Sequence, residues 1–274
     1  MIKSTHLLAF LVLIIPGMIV AQKPVELSYK LKEGQQYSLS IKTNQTISME
    51  MQGQTMVLKQ NSEIFQDLLV KKVDENKNFT LDITYKKVKL NQNAMGMDIS
   101  YDSEKPDESG NPMAKQVGEA LNKIVGSTVT TEMDRFGNAI KNNISEVMAE
   151  NQSVSGIETG MLNVYPDKKI KIGDTWEVSV KPDPQSDFVI VSVYKLDEMK
   201  GKNAQISFEG VITGTEMRGQ KASIQGTMSG KTQVELATGW VISSSINQEM
   251  EMEMEQEGMK MPMKLSSFIE MNSK

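Results

Sequence analysis

The stretch INQEMEMEMEQEGMKMPMKLSSFI, Ile246 to Ile269, decides how this chain is read. Met250, Met252 and Met254 alternate with Glu251, Glu253 and Glu255. After Glu257-Gly258, Met259, Met261, Met263 and Leu265 resume the alternation around Lys260 and Lys264. Successive side chains of a strand point to opposite faces, so period two on both sides of a glycine-containing turn predicts a β-hairpin. A two-residue loop at Glu257-Gly258 sets the register. It places Met254 opposite Met261, Met252 opposite Met263 and Met250 opposite Leu265 on one face. Glu255 then faces Lys260, and Glu251 faces Lys264, on the other. One face is apolar and soft, the other charge-paired.

The same device stands near the start of the chain. Ile47, Met49 and Met51 lead to Gln52-Gly53, and a two-residue loop there pairs Met49 with Met56 and Ile47 with Leu58. A long strand follows from Gln54 to Val73, with phase shifts at Ile64-Phe65 and Leu68-Leu69 that suggest bulges. Phe79, Leu81, Ile83 and Tyr85 alternate, the phase slips at Lys86-Lys87, and Val88 and Leu90 continue. Upstream, Val25 to Lys32 reads as a strand. Asn111-Pro112 opens a helix, a capping residue followed by proline at the first helical position. Met113, Val117, Leu121 and Ile124 give it one apolar side over 112–125. A second short helix is expected near 143–151. Val129 to Ile140 reads as a short hairpin about Phe136-Gly137. Beyond Tyr165 the pattern is all strand. The expectation is a mainly β protein: a large antiparallel curved sheet or half-open barrel of roughly 11–12 strands with two short helices.

Lys32-Glu33-Gly34-Gln35-Gln36-Tyr37-Ser38-Leu39 and Lys171-Ile172-Gly173-Asp174-Thr175-Trp176-Glu177-Val178 share the pattern Lys-x-Gly-x-x-aromatic-x-aliphatic. The match raises a duplication of two halves, 22–163 and 164–274, within one continuous domain; two ordinary turns before alternating strands read equally well.

Composition narrows function. The 274 residues contain no cysteine, and the single histidine, His6, lies in an apolar N-terminal run. Lys3, the run Leu7 to Val20 and small Ala21 before Gln22 have the plan of a secretory signal peptide over 1–21, the run being too short for a membrane span. The mature chain then has neither His nor Cys. That removes Ser-His-Asp and Cys-His catalysis and His- or Cys-ligated zinc. A net charge of −5 lacks the basic footprint of a nucleic-acid binder. The chain reads as exported, periplasmic or extracellular, non-enzymatic, without cofactor and without a transmembrane segment after cleavage.

Tyr165-Pro166-Asp167-Lys168-Lys169-Ile170-Lys171-Ile172-Gly173-Asp174-Thr175-Trp176, and later Ala237-Thr238-Gly239-Trp240-Val241-Ile242, resemble a pattern found in uncharacterised exported proteins of Gram-negative bacteria. These form a family of unknown function, built of strands behind a signal peptide. The resemblance implies that architecture and no catalytic residues. In strand count the chain is also similar to the half-open barrels of periplasmic lipoprotein carriers, a likeness of architecture alone.

The candidate site is Met250, Met252, Met254, Met261 and Met263 with Met49 and Met56. Three readings stand. Thioethers fill irregular cores. They also re-pack around varied apolar ligands, such as an acyl chain, a lipid or a lipid-modified protein. They suit soft ions such as Cu(I), although neighbours at i, i+2 lie about 7 Å apart along a strand. The Glu251-Glu253-Glu255 row could chelate Ca²⁺, but facing lysines make it a solvated face. Asp102, Glu104, Asp107 and Glu108 lack the spacing of an EF-hand loop. Binding of a hydrophobic ligand is the leading function. A structural or protein-interaction domain of the envelope with methionine as core is the alternative, and an Asp/Glu hydrolase the third.

Overall fold

A computed structural model describes residues 23–51, 53–94, 96–105, 112–142, 164–182, 186–217, 219–256 and 259–274. Among them the order is β1 (Gln36–Met51), β2 (Gln54–Val73), β3 (Phe79–Ala94), β4 (Met97–Asp102), α1 (Pro112–Asn122), β5 (Thr128–Met133), β6 (Ala139–Asn142), β7 (Thr175–Val180), β8 (Val189–Lys200), β9 (Asn203–Met217), β10 (Gln220–Glu235), β11 (Val241–Gln256) and β12 (Met259–Ser273). The signal-peptide segment 1–21, the expected helix at 143–151 and the turn residues Glu257-Gly258 lie outside the described residues. No described helix is long and apolar enough to cross a membrane.

The twelve strands form one open sheet in the order β6-β5-β3-β2-β1-β12-β11-β10-β9-β8-β7, with β4 paired to β3 off this path. Strands joined by tight turns pair as antiparallel neighbours. The meander β7 to β12 then meets the meander β1 to β3 where the last strand pairs the first, Met271 facing Ile41. Seven strands have 15 residues or more, and β2 has 20. At about 3.4 Å per residue β2 is roughly 68 Å long, far beyond the usual strand.

One face of this sheet holds the core, and among the described residues the segments outside the sheet cover one end of that face. Ile41, Ile64, Val88, Ile206 and Val234 are buried beneath connections that lie over the sheet. The segment before β1 was expected as a strand. It instead makes a single bridge, Val25 to Ile170. Its other backbone bonds go elsewhere: Tyr29 N donates to Arg135 O (2.7 Å) and Lys30 N to Thr238 O (2.8 Å). With its partners divided among three segments it cannot form a ladder, yet it buries Leu27, Tyr29 and Leu31. The Tyr165 hydroxyl donates to Gly239 O (2.6 Å). Tyr37 stacks on Trp240 at 3.9 Å between ring centroids.

The two similar turns fold alike. Gly34 (φ 82°) and Gly173 (φ 92°) take left-handed backbone that glycine tolerates. Gly34 N donates to Val70 O and Gly173 N to Leu196 O, while Val70 N and Leu196 N donate back to Gln35 O and Asp174 O. The slip at Lys86-Lys87 is a bulge on β3, since Phe65 pairs Lys87 and Gln66 pairs Tyr85. The expected bulges at 64–69 of β2 are absent: Ile64, Gln66, Leu68 and Val70 stay buried on one face. The surplus residue on β2 is Lys71, between Val70 and Lys72.

Helix α1 ends at Asn122 rather than at 125, and its buried side is Ala114, Gly118 and Leu121. Met113, expected on that side, is 44% exposed, and Val117 is half-buried. The cause is Tyr101 of β4. A Cβ on Gly118 would stand 3.3 Å from the Tyr101 ring, so the helix approaches over its small residues, and the Tyr101 hydroxyl donates to Asn122 Oδ1 (2.7 Å). Leu121 is 5% exposed. Leu121→Ala is expected to cost ~2–5 kcal/mol in urea unfolding; a loss below about 0.5 kcal/mol, usual for surface sites, would make the helix peripheral.

Tyr85 is fully buried and its hydroxyl has no hydrogen-bond partner among the described residues. Burial pushes it up to about 12; the Gln66 carboxamide pulls the other way but does not reach bonding geometry. Unfolded tyrosine ionises near 10. The folded form therefore holds its proton more tightly, so stability is intact below about pH 10 and is lost between about 10 and 12, by roughly 2–3 kcal/mol. Tyr85→Phe should flatten that part of the alkaline stability curve and raise stability at neutral pH by ~1 kcal/mol, because a buried unpaired hydroxyl is removed. An unchanged alkaline slope would contradict this reading.

Candidate functional site

The registers of the two hairpins place the sequence-derived methionines on one face. Met254 faces Met261, Met252 faces Met263 and Met250 faces Leu265. Met49 faces Met56 and Ile47 faces Leu58. The sequence leaves open how the hairpins meet. They are joined by β12 and β1, with Met263 opposite Met49 and Leu265 opposite Ile47. The result is a row of four methionines, Met252–Met263–Met49–Met56, across four strands, about 14 Å at the usual inter-strand spacing. Ile224 of β10 extends this row and Ala222 extends the next.

All seven methionines are half-buried. Met250, Met252 and Met254 pack in a cluster of their own with buried Ile212, Ala222 and Ile224. Apart from Phe188, which directly precedes β8, every described residue of that cluster belongs to the sheet itself. The main core at the other end draws residues from outside the sheet. Between the two, a cavity of about 10 Å³ is lined by Ser244, Ile246, Ile269 and Met271, about the room of one water. A polar cleft of about 370 Å³ lies apart from the methionines, against α1 and β4, lined by residues such as Asp102, Glu104, Lys115 and Asn122.

Small residues shape the apolar face. Gly230 faces Phe208, and a Cβ there would come within 2.5 Å of the Phe208 ring. Gly226 faces Met250, where a Cβ would sit 3.2 Å from the Met250 Cβ. Large side chains thus lie over glycines of the neighbouring strand. Pro262 marks the far end. It pairs with Glu253 of β11, while β1 stops pairing with β12 at Met49–Met263. Proline has no N–H for a second ladder, so Met254 and Met261 stand on a hairpin tip that β1 no longer flanks.

The reverse face is ionic. Lys264 contacts Glu251 at 2.7 Å, as its register predicts. Lys260 stands opposite Glu255 but contacts Glu253 at 2.7 Å, the diagonal neighbour within reach of a long side chain. Glu255 turns to Lys221 at 3.9 Å. Hydrogen bonds from these lysines to the glutamates, and then the carboxylate charges, hold both lysines above the usual range. The glutamate row is thus engaged by lysines.

Sequence reasoning missed Ile212, Ile224 and the glycines. Their strands alternate visibly, but only the pairing of β9, β10 and β11 shows that their apolar positions share the methionine face.

A family model, described as a family of unknown function, matches residues 76–153 and 138–241, together more than half of the chain. All seven methionines lie outside those ranges. No curated protein matches the chain. Among solved structures, one described as lipid–protein interactions in lipovitellin aligns at a TM-score of 0.53 and 9% identity, covering 89% of this chain. The alignment spans only 25% of the lipovitellin chain, and at this identity it shows the fold alone. Pseudomonas aeruginosa OccK7 (OpdD) aligns at a TM-score of 0.26 and 5% identity over 88% of this chain and 99% of its own. Pseudomonas aeruginosa OpdQ aligns at 0.21 and 8%, over 89% and 99%. Those two likenesses are too slight to bear on the fold.

Thioethers oxidise to sulfoxides where an oxidant reaches them. Under mild peroxide, Met49, Met56, Met250, Met252, Met254, Met261 and Met263 are expected to oxidise before Met133 and Met271, each 2% exposed. Peptide mass spectrometry ranks them. Resistance of all seven equal to that of Met133 would make the face ordinary core.

Proposed function

The chain belongs to this family of unknown function (DUF6263), and on that premise we propose that it is an exported, non-enzymatic protein that holds a hydrophobic ligand against the methionine rows of its sheet. The ligand class is an acyl chain, carried by a lipid or a lipid-modified protein. One observation supports this above the others: the methionine rows are contiguous across β11, β12, β1 and β2 yet only half-buried. An apolar face left partly open gains by covering, at about 25 cal/mol per Å² of apolar surface removed from water. Methionine, with three rotatable bonds and a polarisable sulfur, adapts to ligands of varied shape. The lipovitellin likeness is consistent with a sheet that can serve such a ligand, and its low identity limits it to that.

The packing of Met250, Met252 and Met254 against Ile212 and Ile224 favours the alternative, a structural envelope domain with methionine as core. A mixed lipid extract separates the two. Added to the purified protein, it is expected to slow peroxide oxidation of Met252, Met263, Met49 and Met56 severalfold while leaving Met113, 44% exposed on α1, unaffected. Organic extraction of the protein as purified should release acyl lipids in mass spectrometry. Neither protection nor co-purifying lipid would leave the structural reading. Export is supported by the signal-peptide plan of residues 1–21. N-terminal sequencing of the exported form is expected to begin at Gln22, and retention of residues 1–21 in a membrane fraction would refute it.

A further inference from the structure

The methionine rows end on a row of a different kind. Two residues nearer the covered core, Gln248 faces Ser267, Ser267 faces Gln45, Gln45 faces Gln60 and Gln60 faces Gln92. Each lies an even number of residues from the methionine of its strand or pairs with one that does, so all five point to the methionine face. They cross β11, β12, β1, β2 and β3, about 19 Å at the usual spacing. The four glutamines are half-buried and Ser267 is buried. A row of neutral amides thus divides the methionine face from the main core.

The same registers show what the face lacks. From β10 to β2, every in-register position on this side is apolar, glycine, hydroxyl or amide; Lys, Arg, Asp and Glu fall on the reverse side. Lys42 and Glu63 pair there, as do Glu251 and Lys264. A charged headgroup pressed on this face would meet no counter-charge among the described strand residues, and burying an unpaired charge is strongly unfavourable. A carboxamide, in contrast, offers two donors and an acceptor. It answers an ester carbonyl or an alcohol, neutral groups that need one good bond each.

We infer that the ligand is an uncharged acyl ester of the diacylglycerol type, its chains along the methionine rows and its ester and hydroxyl groups on the Gln248–Ser267–Gln45–Gln60–Gln92 row. This rests on the hydrophobic-ligand reading above and names its class. The strand direction suits it, because three rows of apolar side chains, led by Met250, Met252 and Met254, run from the amides to the hairpin tip.

The test compares three probes, dioleoylglycerol, oleate and dioleoylphosphatidylglycerol, each supplied as its cyclodextrin complex to the purified protein. Protection of Met252, Met263 and Met49 from peroxide is the readout. Dioleoylglycerol is expected to half-protect at a concentration about ten-fold lower than either anion. Gln60→Lys should reverse the order, oleate protecting at about ten-fold lower concentration than dioleoylglycerol. Urea unfolding checks that the variant is folded, and Gln248→Lys, three strands away, replaces it if it is not. Protection by oleate or dioleoylphosphatidylglycerol equal to that by dioleoylglycerol overturns the inference and leaves the hydrophobic-ligand reading standing. An unchanged order in a folded lysine variant also overturns it. Protection by none of the three overturns the hydrophobic-ligand reading itself.

Discussion

The structure depends on one constraint: the strands are longer than the cover that the other described residues provide. A sheet with one apolar face is stable only where another layer removes that face from water. Here Leu27, Tyr29, Leu31, Tyr165, Ile170 and the residues of α1 and its turn cover one end, and the strand residues beneath them, such as Leu81, Ile206 and Val234, are fully buried. The strands run on past this cover with their alternation unbroken. What they carry there is methionine, on a face that the sheet itself half-buries.

Side-chain choice changes along each strand in step with this. Under the cover stand branched and aromatic residues with few rotamers, Ile41, Ile64, Leu68 and Trp176 among them. Such residues pack at the density of a solid interior. Beyond it, flexible thioethers replace them, and on β10 Gly226 and Gly230 let Met250 and Phe208 lie close to the neighbouring strand. The amide row marks the boundary. The charges, which would be costly on a face meant to meet an apolar partner, are collected on the reverse side and paired across strands.

The meeting of β1 with β12 makes the face continuous. Without that pairing there would be two methionine hairpins, each too narrow to hold much. Pairing the first strand with the last also sets the sheet's middle from residues more than 200 positions apart, Met49 and Met263 among them. Contacts so distant in sequence form late and slowly. The hairpins themselves, whose partners are near in sequence, can form before the face does.

Period two, turn glycines and short connections are local properties, and they determined from sequence alone an antiparallel, mainly β protein, the registers Met252–Met263 and Met49–Met56, and the bulge at Lys86-Lys87. They could do so because a two-residue turn fixes every cross-strand pair of its hairpin. The same local pattern misjudged Val25 to Lys32, since alternation reports burial and not which segment takes the backbone bonds. It misjudged the α1 face because Tyr101, which selects Ala114 and Gly118 over Met113, approaches from another element. The sequence also named the seven methionines without showing that they share one surface. Only the tertiary structure decided that, together with the amide row beside them and the end of the sheet that no other described segment covers. Each of these depends on which strand pairs with which and on where covering segments stop, and neither is written in the periodicity of any single strand.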